Sequence, residues 1–247
     1  MLRGSRSSAH SDVRNILRFA LGGLAFGLCV VGCSSEELAK PRTAYHPDDF
    51  APANGIVYDP ALVFQDSELE DDSDMSDESL RRYLRKTHYG ASSFLARYSS
   101  RCLDIDLAWC GAEEAIGKIS KKFKISRRLL VAALQVRGQL LSAVDYPIPA
   151  ARVEFIFGFG CDTLGGCDTS AAGLGHQVFE LASRMRASLD RLRATGVSRT
   201  GKTLDRERAM TPAARNAATV VTYEEFPDGE EGRPGVWMLQ AIYRKVR

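Results

Sequence analysis

Leu174, Val178, Leu181, Met185, Leu189 and Leu192 recur every three or four positions, and this stripe constrains the chain more than any other feature. An α-helix turns once in 3.6 residues, so the spacing gathers all six on one face. Arg184, Arg186, Arg191 and Arg193 fall mostly off it. Such a helix is marginal alone and must bury its stripe against others. Candidate partners run through the chain. Ser76 is placed to cap a helix carrying Leu80, Tyr83 and Leu84, and Ala112, Ile116, Ile119 and Phe123 step at the same period. Ser126 is placed to cap the next helix, whose apolar side holds Leu129, Leu130, Ala133, Leu134 and Leu141. Thr211-Pro212 and Arg233-Pro234 read as two further helix starts, the last helix bearing Val236, Leu239, Tyr243 and Val246. No run alternates convincingly as a strand, Val153–Phe157 excepted. The expectation is one mainly α domain over residues 58–247, with nothing in its stripes pointing to a cofactor.

What precedes that domain has a different composition. Residues 33–57 contain Pro41, Pro47 and Pro52 and no periodicity, which predicts an extended tether. Residues 1–18 carry Arg3, Arg6, Arg14 and Arg18 against one acid, and residues 19–31 are apolar and uncharged. Thirteen apolar residues are short of the about 20 that span a bilayer. A basic stretch, a short apolar stretch and a small residue before a cut describe a secretory signal over residues 1–32. Val30-Val31-Gly32-Cys33 resembles the lipobox of bacterial lipoproteins, which implies an acylated Cys33 as the new N-terminus and a domain held on a membrane by that lipid. By the same resemblance, Ser34 after the cysteine implies the outer membrane, with the domain facing the periplasm. The competing reading is an ordinary export signal or a short membrane anchor, with Cys33 incidental.

Export changes how charge and cysteines are read. Removing residues 1–32 takes four Arg and one Asp from 33 basic and 31 acidic residues, leaving a net charge of about −1. No basic balance then argues for nucleic acid. The acidic run over residues 66–78 lacks the glycine and spacing of a calcium loop and reads as solvated. Beyond Cys29 and Cys33, four cysteines remain: Cys102, Cys110, Cys161 and Cys167. An even number in an oxidising compartment predicts two disulfides. Three connectivities are possible, and the local pairs Cys102–Cys110 and Cys161–Cys167 are the expectation. Neither spacing matches common zinc pairs, so no metal is expected.

Four stretches, in order, resemble a known family. They are Met75–Leu84 with Ser93–Tyr98; Ala115–Ser120 with Ile125–Gln135; Gly158–Thr163 with Cys167-Asp168 and His176–Phe179; and Pro212 with Asn216–Thr219 and Tyr223. Together they look like a lysozyme-like domain of secreted bacterial cell-wall proteins, over about residues 75–245. The resemblance implies a helical lysozyme-like fold, a groove facing peptidoglycan with Gln135, Arg137 and Asn216 along it, and a Cys161–Cys167 bridge.

One departure bears on chemistry. The family continues the Leu-Gln pair with a Lys-Glu-Gln run whose glutamate is the general acid, and here Val136-Arg137-Gly138 follows. Cleaving a glycosidic bond needs a carboxylic acid to protonate the leaving oxygen. Arginine stays protonated above about pH 12 and cannot take that part. By helical spacing Arg137 shares the apolar side of Leu130, Ala133, Leu134 and Leu141, so it must snorkel, pair with an acid or face a polar groove. Gly138 marks close packing or an early helix break. Glu154, among Val153, Phe155, Ile156 and Phe157, is the substitute acid to test, its bland reading being an edge position at the surface. His46, His88 and His176 are isolated, and no hydrolase triad order, phosphate loop or H-E-x-x-H occurs. The expected function is a peptidoglycan-binding envelope lipoprotein that does not cleave its ligand. The alternatives are an atypical peptidoglycan hydrolase or lytic transglycosylase, and an envelope scaffold.

Overall fold

A computed structural model describes residues 45–49, 51, 57–147, 150–162, 166–196, 214–226 and 235–247. The expected signal segment 1–32, Cys33, the tether before residue 45 and the Thr211-Pro212 and Arg233-Pro234 helix starts lie outside these residues.

The described chain is mainly α, with one two-stranded sheet. Its helices are α1 (Asp66–Leu69), α2 (Asp77–Arg85), α3 (Ala112–Phe123), α4 (Arg127–Gly138), α5 (Ala151–Glu154), α6 (Leu174–Thr195), α7 (Ala217–Glu225) and α8 (Val236–Tyr243). Strands β1 (Ser99–Cys102) and β2 (Leu107–Gly111) form an antiparallel hairpin. The caps act as their residue types predict. The Ser76 hydroxyl accepts from the Ser79 amide at the start of α2, and Ser126 accepts from Leu129 at the start of α4. The stripe of α6 is fully inside: Leu174, Val178, Leu181, Met185, Leu189 and Leu192 are all buried. It packs against α3, α7 and β1, while α4 packs against α8. Among the described residues, no helix is long and apolar enough to cross a membrane.

The expected strand at Val153–Phe157 is instead α5 and the turn after it. The real strands, four and five residues long, are too short to print an alternation. Both local disulfides are present, Cys102–Cys110 closing the hairpin and Cys161–Cys167 closing the loop before α6. Each crosslink stabilises mainly by restricting the unfolded chain, and less so over loops this short than over long ones.

The tether expectation does not hold at its end. Residues 47–49 make one 3-10 turn on the domain surface, and Asp49 is completely buried. The Tyr45 hydroxyl donates to the Val136 carbonyl at 3.1 Å, and Lys245 Nζ donates to the Ala51 carbonyl at 2.6 Å. This stretch is therefore strapped to α4 and to the end of the chain after α8.

Candidate functional site

Helix α4 ends at Gly138, where a side chain would meet Ile156 Cδ1 at 2.4 Å and Leu140 Cγ at 3.0 Å, so Ile156 would have to move to admit one. The next residue, Gln139, takes a left-handed conformation (φ 55°) and stops the helix. Leu141 therefore lies beyond the helix, while Leu130, Ala133 and Leu134 stay within it on the same face as Arg137, which lies in the last turn. Arg137 is nonetheless exposed. Its guanidinium donates to the Glu225 carbonyl at 2.6 Å and lies 5.2 Å from the centre of the Phe226 ring. A cation at the last carbonyl of α7 is favoured by the helix dipole, and the ring face adds a cation–π contact.

Beside it stands a carboxyl that sequence reasoning missed. The Glu225 side chain is largely buried, and Arg184 Nε approaches its Oε1 at 3.2 Å. Burial pushes this carboxyl above its ordinary range, against the pull of Arg184. Arg184 also lies 5.1 Å from the Phe159 ring centre. Glu225 came out of no sequence signal, because its closeness to Arg137 depends on how α7 meets α4.

Gln135, expected along a groove, is fully buried and all its hydrogen-bonding capacity is spent inside. Its amide nitrogen donates to Asp49 Oδ2 at 3.0 Å and to Ser142 Oγ at 3.1 Å. Its oxygen accepts from the Leu141 and Ser142 amides. Gln135 holds the turn after α4 and the strap together, and it faces no ligand. Asn216 is the N-cap of α7: its oxygen accepts from the Thr219 amide and its nitrogen donates to the Phe64 carbonyl at 2.7 Å. Neighbouring Arg215 pairs with Asp59. His176 contacts Asp104 at 3.0 Å, tying α6 to the hairpin loop.

Glu154 ends α5 and is half-buried. Its Oε1 accepts from the Tyr98 hydroxyl at 2.7 Å and from the Tyr146 hydroxyl at 3.4 Å. Burial first, and the Glu154 carboxylate second, push both phenols above their ordinary range. Both therefore keep their protons and act as donors. Tyr98, Tyr146 and Phe94 form a cluster with ring centres 5.5–5.9 Å apart. No described group donates to Oε2. That oxygen looks toward Gly173, which has φ 114° and carries no side chain; a Cβ there would lie 3.8 Å from Oε2 and 4.0 Å from Ser100 Cβ. The site thus joins α5, the start of β1 and the entry to α6. Of its members, sequence reasoning picked out Glu154 alone; the phenols were readable as aromatic residues but not as its partners.

The expected site residues are consequently not gathered into one place: Gln135 and Asn216 are structural, Arg137 pairs with the end of α7, and Glu154 belongs to an aromatic cluster of its own. Among the described residues, no three His, Cys, Asp or Glu side chains are placed to hold a metal. The chain matches no known protein family, curated protein or solved structure.

Proposed function

We propose that this chain is an envelope lipoprotein, anchored through acylated Cys33, whose domain is lysozyme-like and binds peptidoglycan without cleaving it. The single observation that carries the non-cleaving part is the anchorage of Arg137. Where the resemblance expects a general acid, this side chain is a permanent cation committed to the Glu225 carbonyl and the Phe226 ring. Support for the lysozyme-like part comes from the helical architecture, the small hairpin and the bridged loop before α6. The oxidised cysteine pairs agree with an exported protein.

The test uses the full chain in detergent, incubated with purified murein sacculi, with soluble muropeptides measured beside the sedimented protein. The expected result is co-sedimentation with no released fragments. Release would overturn the reading, and sedimentation no greater than a bovine albumin control would overturn its binding part.

A second reading, an active hydrolase, is favoured by one observation: a carboxyl with a raised pKa, Glu225, beside Arg137. It predicts fragments from the wild type and their loss in Glu225→Gln.

A further inference from the structure

We infer that Glu154, with Tyr98 and Tyr146, forms a saccharide-binding subsite; as a peptidoglycan contact, it rests on the reading above. The ligand class is a pyranose bearing free hydroxyls. Three features lead there.

The first is the unequal use of one carboxylate. Both phenols donate to Oε1, which fixes the carboxylate plane and leaves Oε2 without a described donor. An acceptor on a half-buried side chain, held in place by two protonated phenols, loses little freedom when a hydroxyl donates to it, and such preorganisation favours binding. Hydrogen bonds to a charged acceptor are also stronger than neutral ones.

The second is the exposed ring beside it. Tyr146 is 43 % exposed although Phe94 and Tyr98 brace it at 5.9 Å between ring centres. A braced aromatic side chain with one open side offers a flat apolar platform at small entropic cost, matching the C–H face of a sugar ring. Neighbouring Val144 is 48 % exposed and extends the apolar surface.

The third is what the cluster lacks. Its ring centres are too close to leave a cage between them, so an ammonium group enclosed on several faces does not fit. A ligand that lies against one ring and donates to one oxygen does.

The test measures binding of the full chain in detergent to soluble N-acetylglucosamine tetramer by calorimetry, and in parallel its sedimentation with murein sacculi. Tyr146→Ala is expected to weaken tetramer binding at least tenfold and Glu154→Gln at least fivefold. Tyr146→Phe, which keeps the platform, should stay within threefold of wild type. Trp109→Ala, an exposed aromatic elsewhere on the hairpin, should leave binding unchanged. Circular dichroism and the melting temperature identify any variant that fails to fold. Should Glu154→Gln fail that check, Tyr98→Phe takes its place and should weaken binding at least threefold, since it frees the carboxylate from its shorter bond.

Wild type that binds sacculi and tetramer, with loss in Tyr146→Ala, supports the subsite. Wild type that sediments with sacculi while Tyr146→Ala and Glu154→Gln bind tetramer equally well overturns the subsite and leaves the peptidoglycan reading standing. Tetramer binding lost in the variants, without any sedimentation on sacculi, keeps a saccharide subsite and overturns peptidoglycan as the ligand. No tetramer binding by wild type overturns the subsite outright.

Discussion

Asp49 and Glu154 both accept a hydrogen bond from a tyrosine phenol, but one carboxylate is fully buried with both oxygens paired and the other is half-buried with one oxygen that no described group donates to. Asp49 is 0 % exposed, with Tyr89 on Oδ1 and Gln135 on Oδ2, so each oxygen has a partner inside the fold. Glu154 is half-buried, with two donors crowded on Oε1 and none described on Oε2. A buried polar group left unpaired costs about 1–3 kcal/mol, whereas an exposed one returns to water. The same pair of residue types therefore does two jobs. At Asp49 it fastens the strap to α4; at Glu154 it holds a half-buried carboxylate with one oxygen that no described group donates to.

Asp49→Ala should show the largest effect on stability. It leaves the Tyr89 hydroxyl and the Gln135 amide without their acceptor, and a loss of about 3 kcal/mol is expected from chemical denaturation. A loss below about 1 kcal/mol would mean that the strap is dispensable and would break the comparison. Reverting the hairpin's crosslink comes next. Cys102 and Cys110 are eight residues apart, and replacing both with serine should cost about 2.5 kcal/mol by loop-closure entropy, read by the same denaturation.

The sealed cluster also predicts a pH dependence. His88 lies tilted against Tyr89 with ring centres 3.9 Å apart and meets the Tyr83 hydroxyl at 2.6 Å, and its buried Nε2 has no partner. Burial first, then the charge of Lys245, pushes its pKa down to about 4, with Asp48 opposing and His46 adding to the shift. Between pH 6.5 and about 4 the unfolded chain binds a proton there and the folded chain does not. Stability contributed by neutral His88 is thus complete above pH 6.5 and is lost as pH falls to about 4. The carboxyls of Asp74 and Glu225, raised by burial, act with the opposite sign, losing stability as pH rises. The difference between wild type and His88→Gln isolates the histidine: denaturation midpoints at pH 7 and pH 4.5 should lie closer together in the variant. An equal spacing in both proteins would show that this pocket admits a charge.

How much of this was legible in sequence follows from range. The stripe of α6 and the caps Ser76 and Ser126 are local, set by residues three and four apart, and they were readable. The hairpin was hidden because strands of four and five residues do not establish a period; only Cys102 and Cys110, now seen to close it, hinted at a turn. Arg137 was misplaced because it does share a face with buried Leu130, Ala133 and Leu134, but it sits in the last turn of a helix buried on nearly every side, where closeness to the helix end and to Glu225, not the face, sets its exposure. Asp49 was unreadable for a different reason. Its partner Gln135 is 86 residues away, and a proline-containing segment gives no sign of which residue will be buried. The sites are the least legible part, since Glu154 meets Tyr98 across 56 residues and Arg137 meets Glu225 across 88.

The smallest stability effect is expected at the half-buried carboxylate, and there it says the most. Glu154→Gln keeps an oxygen to accept from Tyr98 and changes only the charge and the Oε2 position. The fold should lose less than about 1 kcal/mol, because no described group donates to the altered oxygen. Arg137→Glu belongs at a similar level, about 1 kcal/mol, since it removes an exposed contact with the end of α7 and brings a like charge toward Glu225. The two substitutions differ in what else they report. Arg137→Glu restores an acid where the resemblance expects one, so muropeptides appearing only in that variant would identify a competent groove around a replaced residue. Glu154→Gln tests whether the oxygen without a described donor has a ligand at all. If it lowers saccharide binding without lowering stability, the contrast with Asp49 is one of function. If it lowers stability as much as Asp49→Ala does, Oε2 is part of the fold's own bonding, and the two carboxylates are doing the same work.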